Sequence, residues 1–281
     1  VYTAGAIIAP EAYRFFLGIG VNLKCCYGIN EAGGVPCVHR DGDISVESTG
    51  RPVVGVETRI DNEGRLFLKT PGMFIDYHKN HEAYEKAIMS KWLETGDNAF
   101  MDENGHLIIF DRSADIITLS DGTQFSPQYL ESKMRVSPYI QEVILFGSDR
   151  PYIAALIAID YVTVGKWAES RRIPYTTYAD LSQKAEVYSL VRAELIRANK
   201  GLPLARRVKR YALLHKAFDA DDAELTRVRK LRRGYIEEHY GYLAEALYQE
   251  EETVDAKTAI TYRDGRTRQI VIPIRVTYLE E

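Results

Sequence analysis

Cysteine, tryptophan and long apolar runs are scarce in this sequence. Its 281 residues include 3 cysteines and 2 tryptophans, and the formal net charge is −4. A small, odd number of cysteines argues against a disulfide framework and favours a reducing compartment, so we expect a cytoplasmic protein. No apolar run approaches the roughly 18 residues that span a bilayer, so a transmembrane segment is not predicted and peripheral association stays open. The weakly acidic balance gives no general attraction for nucleic acid.

The few cysteines also fail to make a recognisable metal motif. Cys25, Cys26, Cys37 and His39 lie near one another in the sequence. A second pair with CxxC-type spacing is missing, so we do not predict a zinc site.

What is present is a globular composition, with 46% hydrophobic and 27% charged residues. Such a chain folds into one or two domains with a packed core. It opens with valine, and "VYTAGAIIAPEAYRFF" has the pattern of a strand end, a glycine turn and a helix entered at Pro10. We therefore expect the chain to be part of a longer protein.

The pattern of secondary structure changes near Arg112. Residues 1–111 are strand-rich, with a buried strand at "VNLKCCYG", a hairpin of "VETRI" and "RLFLK", and a short helix at "HEAYEKAIMSK". Residues 112–281 mix strands and helices, which is typical of a small α+β domain. We predict an α/β protein with a β-rich first part, and a domain boundary between residues 111 and 112.

Several elements are predicted in the second part. A small hairpin turns over Asp121-Gly122, a helix follows from Pro127, and "EVILFG", "IAALIAI" and "RYALLH" are strands. Helices are predicted at 184–199 and 226–240. After a linker at "YQEEETVDA", alternation on both sides of Asp264-Gly265 predicts an added hairpin at about 256–278.

Two motifs point to a charged ligand. In "YGINE" a glycine turn after a strand is followed by Glu31, which suggests a cation or a charged small molecule, although an ordinary turn explains it too. In "WLETGDNAFMDENGHLIIFDR", Asp97 at the end of one element can accept hydrogen bonds from a ribose diol. Arg112 can donate to the same diol or to a phosphate. A surface turn with a salt bridge is the alternative.

Three further stretches are less specific. Gly122 in "LSDGTQFSP" serves a hairpin or lets a thin, extended ligand pass, and "TAGA" lets a flat ring lie against the backbone. "ELTRVRKLRRG" is either a solvated basic helix, a nucleic-acid contact or a site where one lysine contacts a phosphate.

Taken in order, these stretches resemble motifs of the adenylate-forming enzymes, most closely those of bacterial long-chain fatty acid–CoA ligases. "TAGAIIAPE" is similar to the adenine loop, "YGINE" to the Tyr-Gly-x-Thr-Glu motif and "WLETGD" to the Thr-Gly-Asp motif. "FDRSADIITLSDGTQFSPQYLE" resembles the inter-domain hinge with its following loop, and "ELTRVRKLRR" the C-terminal lysine motif. The resemblance implies the end of the large domain, with a β-barrel-like subdomain, followed by a small mobile domain.

The resemblance also implies ligands and residue roles. The ligands are ATP, Mg²⁺, CoA and a fatty acid. Glu31 would hold Mg²⁺, and Lys230 would contact the carboxylate and α-phosphate oxygens. The remaining residues would contact the nucleotide: Gly5, Ala6, Tyr27, Gly28, Asn30, Asp97 and Arg112. Gly122 would face the CoA channel, and the hinge would comprise Arg112, Ala114 and Asp115.

Some positions depart from the family pattern. Asn30 replaces the usual threonine, and Ala114 replaces the usual charged hinge residue. These departures keep open the alternative of a non-catalytic nucleotide-binding module. A ligase for shorter or aromatic acids is a second alternative, because the family's chain-length pocket is largely absent from these residues. Because the family's phosphate-binding loop should precede Val1, we expect the 281 residues alone to be inactive. Acyl length and oligomeric state are not determined by these residues.

Overall fold

The structure, a computed structural model, divides the chain into two compact units. It describes residues 1–5, 8–112, 115–219, 224–225, 231–261 and 267–279, with only the backbone for 257–261 and 267–270. The first unit comprises residues 1–116 and 128–133, and the second comprises 117–127 and 134–281. The predicted mixed α/β fold with a β-rich first part is confirmed.

The first unit is built on two β-sheets. A four-stranded sheet has the order β1-β2-β3-β4, with β1 parallel to β2 and the other pairs antiparallel. A five-stranded antiparallel sheet has the order β5-β6-β8-β7, and β9 also pairs with β8. The strands are β1 (Tyr2–Thr3), β2 (Lys24–Ile29), β3 (Gly34–Val38), β4 (Arg51–Pro52), β5 (Glu57–Ile60), β6 (Arg65–Lys69), β7 (Ile88–Met89), β8 (Trp92–Met101) and β9 (Leu107–Arg112).

The helices described alongside these sheets are α1 (Pro10–Gly18), α2 (His81–Ala87) and α3 (Pro127–Met134), of which α3 has residues 128–133 in the first unit. Helix α1 begins with Pro10 at its first turn, as predicted, because proline has no N–H to lose there. Helix α2 is capped by Asn80, whose side chain accepts from the Ala83 N–H.

Strand β8 corrects one prediction. We expected Thr95-Gly96-Asp97 to end an element, but the three residues lie inside β8. Gly96 adopts a φ of +75°, and the register with β6 shifts here, since Arg65 pairs with Asn98 but Phe67 pairs with Glu94. A mid-strand glycine of this kind marks a bulge rather than a strand end. Burial alternates along β8, so Asp97 lies on the same inward face as Leu93.

The second unit contains a five-stranded mixed sheet and a small two-stranded ladder. The sheet has the order β12-β13-β14-β16-β15, in which only β13 and β14 are parallel. Its strands are β12 (Ile140–Phe146), β13 (Ile153–Ile159), β14 (Val208–Leu213), β15 (Thr253–Thr261) and β16 (Thr267–Tyr278); the ladder consists of β10 (Ile117–Thr118) and β11 (Gln124–Phe125). Every residue of β13 is buried, as expected for an interior strand with both faces covered.

In the second unit, the helices that lie within the described residues are α4 (Tyr161–Ser170), α5 (Tyr178–Ser182), α6 (Ala185–Asn199) and α7 (Arg233–Ala246). The 184–199 helix prediction is confirmed by α6, whereas α4 and α5 were not predicted. Helix α7 runs to Ala246, past the predicted end at Tyr240, and residues 226–230 of that prediction lie outside the described residues. The helix continues because Ile236, Tyr240 and Leu243 repeat on one buried face.

The predicted C-terminal hairpin corresponds to β15 and β16. These strands pair from Thr253↔Arg275 to Thr261↔Thr267, and the predicted turn at 264–265 lies outside the described residues. The prediction of a linker at "YQEEETVDA" is partly wrong, since β15 already begins at Thr253. Strand β16 also pairs with β14, which joins the hairpin to the sheet.

Two side chains separate β14 from β16 just beyond their last pair. Tyr188 Oη accepts from the Leu213 N–H at 3.1 Å and donates to the Arg275 carbonyl at 2.7 Å. Gln183 donates to the Leu213 carbonyl at 2.9 Å and accepts from the Arg275 N–H at 3.2 Å. These side chains therefore satisfy the backbone groups that a direct ladder would have paired.

Two further findings concern the cysteines and the helices. Cys25, Cys26 and Cys37 are all free thiols. Within the described ranges, no helix has both the length and the apolar character needed to span a membrane.

Candidate functional site

The first component of the site is the end of β2 with the short 3₁₀ turn after it, Asn30–Ala32. Tyr27 lies on the strand and Glu31 on the turn. Gly33 ends the turn with a φ of +81°, and a Cβ atom there would lie 2.3 Å from the Gly72 carbonyl oxygen. Only glycine fits this close approach, which brings the segment from Thr70 to Tyr77 against the turn that carries Glu31.

The second component is Asp97, which is 8% exposed on the inward face of β8. Its Oδ2 accepts a hydrogen bond from Tyr27 Oη, and its Oδ1 lies 3.2 Å from Arg112 Nε on β9. The Asp97 N–H donates to Thr95 Oγ1 at 3.1 Å. Tyr27, Asp97 and Arg112 are thus brought together from three strands of two sheets.

Burial dominates the electrostatics of this cluster. It raises the pKa of Asp97, with a further rise from the charge of Glu31, against lowering by the Tyr27 hydrogen bond and by Arg112. Burial also raises the pKa of Tyr27, with the Asp97 carboxylate adding to the effect. Tyr27 is therefore a hydrogen-bond donor at neutral pH, and the poorly solvated carboxylate favours additional donors such as hydroxyl groups.

Tyr77 joins the cluster through Glu31. Tyr77 Oη donates to Glu31 Oε1 at 2.8 Å. The charge of Arg112 lowers the pKa of Tyr77, although burial and Glu31 raise it more. We had assigned no role to Tyr77 from sequence; the available signal was its place in "FIDYHKN", an aromatic and polar stretch following a glycine turn.

A hydrogen-bond network centred on two buried histidines connects the two sheets of the first unit. His39 Nε2 lies 2.9 Å from Ser48 Oγ, which in turn lies 2.9 Å from His106 Nδ1. His106 Nε2 lies 2.8 Å from Asp43 Oδ1, and Arg51 Nε donates to Asp43 Oδ2 at 2.6 Å. Because His39 follows β3 and His106 precedes β9, this network holds the sheet of Tyr27 against the sheet of Asp97.

The network also explains why His39 is no zinc ligand. Both of its ring nitrogens have hydrogen-bond partners, since Nδ1 accepts from the Cys25 N–H at 3.0 Å. Burial raises the pKa of Cys25 to about 11 and that of Cys37 to about 12, so both remain thiols at neutral pH. No cluster of three or more His, Cys, Asp or Glu side chains suited to a metal exists in the described part of the chain.

The donor set does suit a Mg²⁺ ion that arrives with a nucleotide. Mg²⁺ in such sites commonly uses one or two carboxylates together with substrate phosphates and water. Glu31 is half-buried, and among the described residues its carboxylate has one hydrogen-bond donor, Tyr77 Oη, at Oε1. One such carboxylate fits this mode of binding and not an all-protein cage.

The other predicted site residues are placed as follows. Gly5, Gly28 in β2 and Asn30 in the 3₁₀ turn are exposed. Gly5 adopts a φ of +85°. Gly122 lies in the β10–β11 turn of the second unit with a φ of +84°. Asp115 is half-buried in the first unit. Ala6, Ala114 and Lys230 lie outside the described residues.

Comparison with known proteins shows which class this chain resembles. Residues 114–252 match the family model described as the AMP-binding enzyme C-terminal domain. The adenylation domain of a carboxylic acid reductase from Segniliparus rugosus, solved in complex with AMP and a co-purified carboxylic acid, aligns with a TM-score of 0.69 at 20% identity, over 88% of this chain and 39% of that one. The predicted resemblance to the adenylate-forming enzymes is therefore confirmed.

Within that class, the curated relatives are fatty acid–CoA ligases. Long-chain-fatty-acid–CoA ligase FadD15 of Mycobacterium bovis is 28% identical over 250 residues, which cover 89% of this chain and 42% of the relative. Long-chain-fatty-acid–CoA ligase ACSBG1 of Rattus norvegicus is 25% identical over 89% of this chain and 38% of the relative. The chain thus resembles long-chain fatty acid–CoA ligases and spans less than half of their length.

Proposed function

We propose that the chain is the C-terminal part of an AMP-forming long-chain fatty acid–CoA ligase. The observation that supports this most directly is the joining of Tyr27, Asp97 and Arg112 in one cluster with Glu31 close by. In this proposal the first unit ends the large AMP-binding domain and the second unit is the small C-terminal domain. A cytoplasmic location remains a prediction.

The proposed reaction has two steps. A fatty carboxylate oxygen attacks the α-phosphorus of ATP, and the bond to pyrophosphate breaks to give acyl-AMP. The sulfur of CoA then attacks the acyl carbon, its proton is lost to solvent or a base, and AMP leaves. Adenylation is needed because a carboxylate would otherwise have to expel oxide, a far poorer leaving group than AMP.

Each residue of the cluster has a task in binding the nucleotide. Asp97 accepts hydrogen bonds from the ribose hydroxyls, for which its buried, poorly solvated carboxylate is suited. Arg112, whose side chain is 59% exposed, can turn from Asp97 to a ribose or phosphate oxygen. The ring of Tyr27 provides a flat surface for adenine, and its Oη keeps Asp97 oriented.

Glu31 would hold Mg²⁺, which supplies charge neutralisation at the phosphate oxygens when bound. We assign to Lys230 the contact with the reacting carboxylate and α-phosphate, where a cation stabilises developing negative charge. Gly122 is proposed to face the pantetheine of CoA, and Arg112, Ala114 and Asp115 to form the hinge.

The test is an assay of the complete ligase with ATP, Mg²⁺, palmitate and CoA. We expect AMP and palmitoyl-CoA to form, Lys230→Ala to lose adenylation while retaining ATP binding, and Asp97→Asn to lose ATP affinity. The 281-residue chain alone should release no AMP. Absence of acyl-AMP formation with fatty acids of any length would refute the proposal, and a preference for short or aromatic acids would change the substrate class.

A further inference from the structure

The turn that carries Glu31 is held by one neighbouring segment, residues 70–77. The Phe74 N–H donates to the Glu31 carbonyl at 2.9 Å, and Thr70 Oγ1 donates to the Ala32 carbonyl at 3.0 Å. A Cβ atom at Gly33 would lie 2.3 Å from the Gly72 carbonyl oxygen, so no side chain fits at Gly33. The backbone of Glu31 is therefore held in place by contacts that do not involve its side chain.

The same segment also reaches the carboxylate. Tyr77 Oη donates to Glu31 Oε1 at 2.8 Å. A phenol has one proton to donate and a carboxylate has two acceptor oxygens, so the bond occupies one oxygen and leaves the other. Among the residues that the structure describes, no hydrogen bond or ion pair is found for Glu31 Oε2.

The Tyr77 ring is itself held in place. Its centroid lies 4.7 Å from that of Phe74, which also contacts Tyr84 at 5.2 Å. The Tyr77 N–H donates to Asp76 Oδ1 at 2.8 Å. A hydroxyl on an ordered ring can fix the rotamer of a carboxylate at little further entropic cost.

We propose that Tyr77 is a positioning residue that fixes the Glu31 carboxylate, with Oε1 occupied and Oε2 directed to the cation that accompanies the nucleotide. This inference rests on the proposed function. It assigns a role to a residue outside the motifs, and the role is confined to metal binding: Tyr77 acts through Glu31 and makes no contact with the reacting atoms.

The test compares Tyr77→Phe with Tyr84→Phe in the complete ligase. Tyr84 packs on the same Phe74 ring and stacks on His81. In the described part of the chain, no hydrogen bond joins Tyr84 to Glu31. Mn²⁺ binding to the enzyme with ATP is measured by electron paramagnetic resonance, and ATP binding is measured separately in excess EDTA. Outer-sphere partners of a metal ligand typically change metal affinity about tenfold or more.

We expect Tyr77→Phe to weaken Mn²⁺ binding about tenfold while metal-free ATP binding stays unchanged, and Tyr84→Phe to change neither. In a Glu31→Gln background, Tyr77→Phe should have no additional effect. Equal Mn²⁺ affinity in wild type and Tyr77→Phe would overturn the role of Tyr77 and leave the ligase proposal intact. A wild-type protein that binds neither ATP nor Mn²⁺·ATP would overturn both.

Discussion

Replacing Ser48 with alanine tests the network that joins the two sheets of the first unit. The partners determine where the protons lie. The Cys25 N–H donates to His39 Nδ1, so His39 Nε2 carries the proton that Ser48 Oγ accepts. His106 Nε2 donates to the Asp43 carboxylate, which leaves His106 Nδ1 as an acceptor. The single proton of the Ser48 hydroxyl therefore has two acceptors within reach, His106 Nδ1 at 2.9 Å and the Ser45 carbonyl at 3.0 Å.

Loss of the hydroxyl would leave two imidazole nitrogens without a partner, and the Gly50 N–H would lose the acceptor that it contacts at 3.2 Å. His39 and His106 are each 2% exposed, so water cannot replace Ser48 from the surface. A buried polar group without a partner costs about 1–3 kcal/mol, and the two nitrogens alone give an expected destabilisation of about 2–6 kcal/mol. Ser45→Ala is the matched control, since Ser45 contributes a carbonyl to the network and not its hydroxyl.

The two tryptophans allow the first unit to be followed by itself. Trp92 lies in β8 of the first unit and Trp167 in α4 of the second. In a Trp167→Phe background, selectively excited tryptophan fluorescence therefore comes from the first unit alone. Urea denaturation then gives the free energy of unfolding of each variant. The value for Ser45→Ala should differ from that of the unsubstituted protein by less than about 0.5 kcal/mol. Equal effects of the two substitutions would refute the reasoning.

Three further predictions follow from single contacts. Gly33→Ala should cost at least about 2 kcal/mol of unfolding free energy, because alanine would be strained at a φ of +81° and would clash with Gly72. Tyr188→Phe should cost about 1–3 kcal/mol in the second unit, because the buried Leu213 N–H loses its acceptor. Burial lowers the pKa of His39 below that of the unfolded chain, so its contribution to stability is present above about pH 6.5 and is lost as the pH falls.

Each of these has a control in the same chain. Gly64 shares the φ of +81°, but a Cβ atom there would come no closer than 3.7 Å to a neighbouring side chain, so Gly64→Ala isolates the backbone strain from the clash. Tyr242→Phe, at a side chain that is 44% exposed, should leave the second unit unchanged. A free energy of unfolding that does not fall between pH 7 and 5.5 relative to a His39→Gln variant would contradict the histidine prediction. If Gly33→Ala lowers the free energy of unfolding no more than Gly64→Ala does, the predicted clash with Gly72 is wrong.

Most elements of the fold were predictable because their signals are local. Alternating and continuous apolar runs predicted β5, β6, β12 and β13, and Pro10 predicted the start of α1. Helix α4 was missed although Asp160 caps it, and the end of α7 was predicted at Tyr240 although its buried face continues through Leu243. Thr95-Gly96-Asp97 was misplaced since a glycine bulge inside a strand has the same local sequence as a turn.

The sequence by itself determined the order of the motifs and, through their resemblance to adenylate-forming enzymes, which side chains are candidates for the site. Tertiary structure decided which of them meet. Tyr27, Asp97 and Arg112 are separated by up to 85 residues in the chain. They come together because β8 pairs with β9 and the sheet that contains β2 packs against theirs. Tyr77 and the His39–Ser48–His106 network were found in the same way. Hydrogen bonds between residues distant in the chain depend on strand register and sheet packing, which no short stretch of sequence encodes.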